Sequence, residues 1–315
     1  MDLLRAGLTP LEGGFSGETF LAEAAGERSV VRIYADRGAR RGSNAVEVDA
    51  AVLRLVRGLL PVPEVLEVRR PDESARTPGL LVMSYLEGNR LDLVLRDASP
   101  ELRGRVAASA GEMLARLAQM PMLRPGMFLD GDLKIGAFPP GAEDLVEWVT
   151  RHSQQRVLRE WSTSQRAGLL EVADRAQRLL DGVDRACLVH SDFNPKNLLV
   201  DPWTGVVTGL VDWEFAHSGG PFTDLGNFLR FEREPLFAEE VLATYVRGTS
   251  GLDPSTSSGR RKRGQRDEVL DRARASDLWA LVDLAARSGD HPVASRAHDH
   301  LLAIARTGDL HATAV

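Results

Sequence analysis

Apolar side chains at Ala45, Val48, Val52, Leu53 and Val56 repeat at helical spacing, and predict a helix with one buried face between Asn44 and Arg57. Pro61-Val62-Pro63 is expected to stop it, because proline lacks the N–H and restricts the residue before it. Around this helix the pattern is strand-like. Thr19-Phe20-Leu21 follows a Gly-rich turn, Ser29–Tyr34 is β-branched with Arg32 as its polar interruption, and Val65–Arg69 and Gly79–Tyr85 flank a polar turn. After Glu87-Gly88 the period lengthens. Leu102, Val106, Ala110, Met113, Leu114 and Leu117 mark a long amphipathic helix started by Ser99-Pro100. Helices are expected near 142–160, 165–182, 235–248, 266–288 and 292–306, with short strands at Cys187–Val189, Leu198–Val200 and Val206–Val211. The outline is α+β: a small β-rich lobe over 1–86 and a larger α-helical lobe over 87–315.

Composition narrows the setting. The 315 residues carry 43% hydrophobic and 27% charged side chains, ordinary for a folded chain. Cys187 is the one cysteine, so no internal disulfide forms and no thiolate metal site is available. No run approaches a membrane span, and the start MDLLRAGLTP lacks the features of a leader peptide, so a cytoplasmic protein is expected. The net charge of −6 argues against nucleic acid as a partner and is compatible with a cationic small molecule. The basic run Arg260–Arg263 lies in the biased stretch 253–267, where Pro, Gly and Ser favour a solvated loop over an anion-binding patch. Only three lysines occur, Lys134, Lys196 and Lys262, which excludes any mechanism needing a lysine in the first 133 residues.

The chemistry concentrates in 188–224. Apolar strand residues deliver His190, Asp192 and Asn197 into a loop, and a returning strand pair presents Asp212 directly after Gly209-Leu210-Val211. Oxygen ligands from Asn197 and Asp212 suit Mg²⁺, a hard cation that keeps several waters. Asp192 is then free to orient a hydroxyl and accept its proton, which completes a parts list for phosphoryl transfer.

Here the chain resembles the aminoglycoside phosphotransferase family, kinase-like antibiotic and small-molecule phosphotransferases that share the protein-kinase fold. His190-Ser191-Asp192 with Asn197 is similar to that family's catalytic loop. Val211-Asp212-Trp213-Glu214 is similar to its metal-binding segment, and Gly219-Gly220-Pro221 with Asp224-Leu225 to the stretch that follows. The resemblance implies a bilobed fold with a nucleotide, ATP or GTP, and Mg²⁺ in the cleft between lobes. It implies Asp192 as the catalytic carboxylate, Asn197 and Asp212 on the metal, and His190 and Asp224 as supports of the loop, Asp224 from a helix start. Gly14, Ser16 and Gly17 would cover the phosphates, a Gly-rich surface turn being the other reading. Met83-Ser84-Tyr85-Leu86 is similar to the connector whose backbone groups would meet the adenine, among them those of Ser84 and Leu86.

Two positions depart from the family. Where kinases carry a strand lysine, this chain has Arg32, which keeps the charge and can grip through two parallel hydrogen bonds. Its helix partner is expected to be Asp49 rather than Glu47. Lys196 could reach a γ-phosphate or be a solvated loop residue. For the acceptor, Glu214 is the first candidate carboxylate, with Glu232, Glu234 and Asp277 as further ones that also read as solvated helix charges. Histidines 291, 298 and 300 read as surface residues. The implied reaction phosphorylates a hydroxyl of a small molecule, with an antibiotic such as an aminoglycoside as first acceptor. A metabolic kinase for an amino alcohol, sugar or fructosamine-type adduct is the alternative, and a nucleotide-binding pseudokinase the reading from another class.

Overall fold

The structure is a computed structural model, described here for residues 7–11, 19–24, 26–35, 41–72, 74–232, 234–250 and 262–314. The chain falls into two compact units. The first comprises Met1–Ser109, Met127–Gly136 and Asn194–His217; the second comprises Ala110–Gly126, Ala137–Phe193 and Ser218–Val315.

The first unit is built on an antiparallel sheet of β1 (Leu8–Pro10), β2 (Thr19–Ala24), β3 (Glu27–Tyr34), β4 (Val65–Arg69) and β5 (Gly79–Ser84), in the order β1-β2-β3-β5-β4. β3 is therefore the central strand, with Arg32 opposite Thr19 on one side and Leu81 on the other. Helix α1 (Ala45–Val56) packs on β4 and β5, and its predicted stripe is the buried one: Val52 and Val56 are fully enclosed. Each such valine contributes about 1.5–3 kcal/mol of burial. The helix stops before the prolines expected to end it. Gly58 takes φ 82° just after the last turn, and the Arg57 N–H closes on the Leu53 carbonyl.

A second small sheet in this unit joins β6 (Asn89–Arg90), which leads into helix α2 (Leu91–Asp97), to β10 (Leu198–Val200) and β11 (Val207–Leu210), in the order β11-β10-β6. The β10–β11 turn is stabilised by Asp201, whose Oδ1 accepts from the amides of Trp203 and Thr204 at 2.8 and 2.9 Å. Helix α3 (Pro100–Ala118) realises the long amphipathic stretch, running from the first unit into the second.

The second unit is mainly helical: α4 (Leu145–His152), α5 (Arg156–Arg159), α6 (Thr163–Leu180), α7 (Thr223–Leu229), α8 (Pro235–Thr249), α9 (Lys262–Ala286) and α10 (Pro292–Thr307). The stretch expected as one helix near 142–160 is two, α4 and α5, separated at Ser153, whose hydroxyl turns back to the Val149 carbonyl at 2.7 Å. A capping box on Ser162 and Gln165 starts α6. Leu145, Val149, Leu169, Val172, Leu278, Val282 and Leu301 form the core between α4, α6, α9 and α10. Close helix approach needs small residues: a Cβ on Gly226 of α7 would sit 2.2 Å from the Ala273 carbonyl oxygen of α9. Strand β7 (Pro121–Met122) pairs antiparallel with the fully buried β9 (Ala186–Val189), while β8 (Gly126–Met127) and β12 (His217–Gly219) lie where the chain passes between units. Among the described residues no helix is long and apolar enough to cross a membrane.

Two surface assignments are corrected. His300 is buried at 4% exposure, whereas His291, which caps α10 through Nδ1, and His298, whose Nε2 accepts from the Trp161 indole at 2.9 Å, are half-buried. Asp277 is buried as well, for reasons given below. The basic stretch 253–267 lies outside the described residues up to 261; from Lys262 onward it is the start of α9.

Candidate active site

The predicted segment His190–Asn197 is divided between the units, so its two halves are described separately.

In the second unit, β9 ends at Val189 and the chain turns sharply. His190 is fully buried, and its Nδ1 accepts the Asp192 amide at 3.2 Å; its ring meets Phe193 edge-on at 6.2 Å. Ser191 holds φ 67°, the left-handed region that costs a non-glycine residue free energy and is found where surroundings enforce it. The enforcing group is Asp224, in the first turn of α7. Its two carboxylate oxygens accept the His190 and Ser191 amides at 2.9 and 2.8 Å. Burial pushes the Asp224 carboxyl up to about 7; the two amide bonds oppose this, and the charge of Asp192 adds to it. Asp192 itself is half-buried. Behind α7, Arg230 grips Asp277 of α9 with two nitrogens, Nε at 2.9 Å and Nη2 at 2.6 Å, and Asn227 adds a bond at 3.1 Å. Asp277 thus serves an internal ion pair and is neither a solvated charge nor an open carboxylate for an acceptor. Arg230 escaped the sequence reading, although its spacing of one turn from Asn227 placed both on one face of α7.

In the first unit, the register Leu198↔Leu210 brings the ends of β10 and β11 together, and the Val211 amide donates to the Asn197 carbonyl at 3.0 Å. Asn197 and Asp212 are therefore neighbours across this pair, as their spacing suggested. Asp212 takes φ 65°, a second left-handed non-glycine residue at a predicted site. Trp213 turns into the core and donates from Nε1 to the Leu210 carbonyl at 3.0 Å, which fixes the turn carrying Asp212 and Glu214. Lys196 is half-buried, and its amide donates to Asn194 Oδ1 at 3.0 Å.

Arg32 reaches this turn from β3. Its Nη1 donates to Asp212 Oδ1 at 2.8 Å and its Nη2 to Glu214 Oε2. Burial pulls the guanidinium pKa down, but Asp212, Tyr34 and Glu214 outweigh it, so Arg32 stays charged well above its ordinary range. The expected partner is different. Asp49 accepts Arg41 through both oxygens, at 2.7 and 2.8 Å, and the Tyr34 hydroxyl at 2.6 Å. Glu47 pairs with Arg70 at 2.5 Å. Neither acid of α1 forms an ion pair with Arg32, because each is taken by an arginine from a neighbouring loop. Glu214, the first candidate for an acceptor, is half-buried and pairs with Arg32.

Of the remaining predicted residues, the Ser84 hydroxyl accepts the Glu64 amide at 2.8 Å, so its side chain serves the sheet. Leu86 packs over Gly209, where an added Cβ would stand 3.0 Å from its Cδ1. Gly14, Ser16 and Gly17 lie outside the described residues.

Asn197 and Asp212 offer an amide and a carboxylate oxygen, a donor set that fits Mg²⁺, which needs few protein ligands. Among the described residues no group of three or more His, Cys, Asp and Glu side chains is arranged for a metal.

Comparison with known proteins gives one family match and several likenesses of fold. The model of the phosphotransferase enzyme family, APH, matches residues 7–259. Among solved structures, aminoglycoside phosphotransferase APH(4)-Ia in ternary complex with ADP and hygromycin B is similar at 20% identity with a TM-score of 0.64, covering 96% of this chain and 94% of that one. The GDP complex of aminoglycoside 2'-phosphotransferase-IIIa is similar at 16% identity and TM-score 0.65, covering 96% and 92%. The microcompartment-associated aminopropanol kinase is similar at 20% identity and TM-score 0.62, covering 95% and 91%. At these identities the likeness is one of fold. A curated relative from Mus musculus, acyl-CoA dehydrogenase family member 10, is 24% identical over an alignment of 231 residues that covers 69% of this chain and 20% of that protein. The chain thus spans about a fifth of that relative's length. With the fold, the motif segments and a family match over most of its length in agreement, the chain belongs to the phosphotransferase enzyme family.

Proposed function

We propose that this chain transfers the γ-phosphoryl group of ATP or GTP to a hydroxyl of a small molecule in the cytoplasm, with Asp192 as the catalytic carboxylate. The observation that carries the reading is the buried Asp224 clamp. It holds Ser191 in left-handed backbone immediately before Asp192, and strain of this kind clusters at active sites. In the reaction the acceptor oxygen bonds to the γ-phosphorus, the bond to the β-phosphate oxygen breaks, and the hydroxyl proton passes to Asp192. Asn197 and Asp212 would hold Mg²⁺, which when bound supplies charge neutralisation at the phosphates. Arg32 contributes fixed positive charge from β3, Lys196 a mobile one from the loop, and the backbone at Ser84–Leu86 an edge for the base. Gly14, Ser16 and Gly17 are assigned to the phosphate cover.

The acceptor is proposed to be an antibiotic such as an aminoglycoside, or another hydroxylated cation. The likeness to APH(4)-Ia bound to hygromycin B supports that class. The likeness to aminopropanol kinase supports a metabolic amino alcohol as the second class. A coupled assay of ADP release against both panels, with Asp192→Ala as control, separates them. Turnover lost in the variant and confined to one panel names the class. Nucleotide binding without turnover in any panel would leave a pseudokinase and overturn the enzyme reading.

A further inference from the structure

Arg32 is held by two carboxylates in unequal surroundings. Its own side chain and that of Glu214 are each 9% exposed, whereas Asp212 is 40% exposed. A buried guanidinium and a buried carboxylate each cost free energy to desolvate, and each is tolerable because the other is there. The Asp212 arm is the one open to solvent, and so the one that can change partner. Arg32 Nε has no hydrogen-bond partner among the described residues, so the two Nη arms carry its orientation. The guanidinium also lies 5.5 Å from the Tyr34 ring, on the same face of β3. The acids of α1 cannot take over this task. Asp49 already accepts three hydrogen bonds, from Arg41 twice and from Tyr34, and Glu47 is paired with Arg70.

We infer that Glu214 is the positioning carboxylate of Arg32: it anchors one arm of the guanidinium permanently, while the other arm exchanges Asp212 for a phosphate oxygen of the nucleotide. This rests on the reading above that Arg32 serves the nucleotide phosphates. The arrangement uses a property lysine lacks. A single ammonium is a point charge, whereas the planar fork of arginine can keep one partner and trade another. The turn makes the division of labour possible, because Trp213 in the core directs Asp212 and Glu214, two residues apart, to the same arginine.

The test is calorimetric titration of the full chain with ADP and, separately, with adenosine, which lacks phosphates. Glutamine at 214 keeps an acceptor but removes the charge, so the guanidinium is drawn wholly to Asp212. Glu214→Gln should weaken ADP binding about tenfold and leave adenosine binding unchanged. Arg32→Gln should show the same split, and the double variant should be no weaker than the weaker single one, because the two residues act as a unit. Asp49→Asn should stay within about twofold of wild type for ADP. Unchanged ADP affinity in Glu214→Gln overturns the proposal, as does an equal loss for ADP and adenosine, which would mark a merely structural role. If Glu214→Gln does not fold, Glu214→Asp keeps the charge at shorter reach; it should lose ADP affinity severalfold with adenosine unchanged, and no loss overturns the proposal. A wild-type chain that binds neither ADP nor adenosine overturns the nucleotide reading itself, a result distinct from any difference between variants.

Discussion

Asp224 and Ser191 are locked together: the Ser191 amide donates to Asp224 Oδ1 at 2.8 Å while Ser191 sits at φ 67°. Asp224→Ala removes this acceptor and that of the His190 amide, so the strained turn can relax and carry Asp192 out of place. Misplacement of a reacting group by about 1 Å costs on the order of 100-fold in rate. The expected outcome is a fall in kcat of about that size with the KM for nucleotide changed less than about threefold. Steady-state kinetics on the acceptor found by screening would check it.

The same carboxylate predicts a pH dependence of stability. Its folded pKa, about 7, lies above the ordinary value of 3.8, chiefly because it is buried. Between those values the folded state binds more proton than the unfolded state, so this group's contribution to stability falls as pH rises. It is fully present below about 4 and lost once pH passes about 7. Wild type should therefore lose Tm relative to Asp224→Asn across this window. Differential scanning calorimetry at a series of pH values would show it, and a Tm difference independent of pH would contradict it.

Arg41 carries most of the partner burden of a buried acid. Asp49 is 3% exposed, and among the described residues Arg41→Ala leaves it the Tyr34 hydroxyl alone. Leaving a buried charge without its ion-pair partner costs about 3 kcal/mol. Tyr34→Phe removes one neutral donor and should cost about 1 kcal/mol. Urea unfolding of both variants should rank them in that order.

Two glycine substitutions should act with opposite sign. In Gly226→Ala the new methyl meets the Ala273 carbonyl oxygen at 2.2 Å, so α7 and α9 must separate. The cost is about 2 kcal/mol or more. Gly104 lies within α3, and an added Cβ there meets nothing within 4 Å. Gly104→Ala should stabilise by about 0.5–1 kcal/mol, since alanine loses less backbone entropy in a helix. Thermal unfolding of the pair reads both.

The long periodic elements were legible in the sequence because one face of each is buried: α1, α3, α6, α8 and α10 appear close to their expected spans, as do the strands carrying Arg32, Asn197 and Asp212. Periodicity predicted neither α2 nor α7; the start of α7 at Asp224 came from the resemblance alone. Each has seven residues, fewer than a periodic pattern needs to declare itself, and α7 is buried nearly all round. The neighbouring positions of Asn197 and Asp212 followed from spacing along an antiparallel pair. The partner of Arg32 did not, because spacing on a helix says which acids face a sheet but not which are already occupied. Arg41, which takes Asp49, comes from the segment before α1, where no period constrains its reach. Asp277 escaped for a similar reason: its burial depends on Arg230, which lies 47 residues earlier in the chain.

The replacement of lysine by Arg32 also determines which reagents can find the proposed nucleotide site. Acyl-phosphate derivatives of nucleotides label kinases by transferring an acyl group to a lysine amine beside the bound phosphates. A guanidinium that stays protonated is not acylated under the same conditions. With no lysine before Lys134, the sheet β1–β5 and helix α1 present no lysine amine to such a probe. In a profiling experiment of that design, acylation within the segment His190–Asn197 could fall only on Lys196, and a chain occupied by nucleotide would otherwise pass as silent on its amino-terminal side.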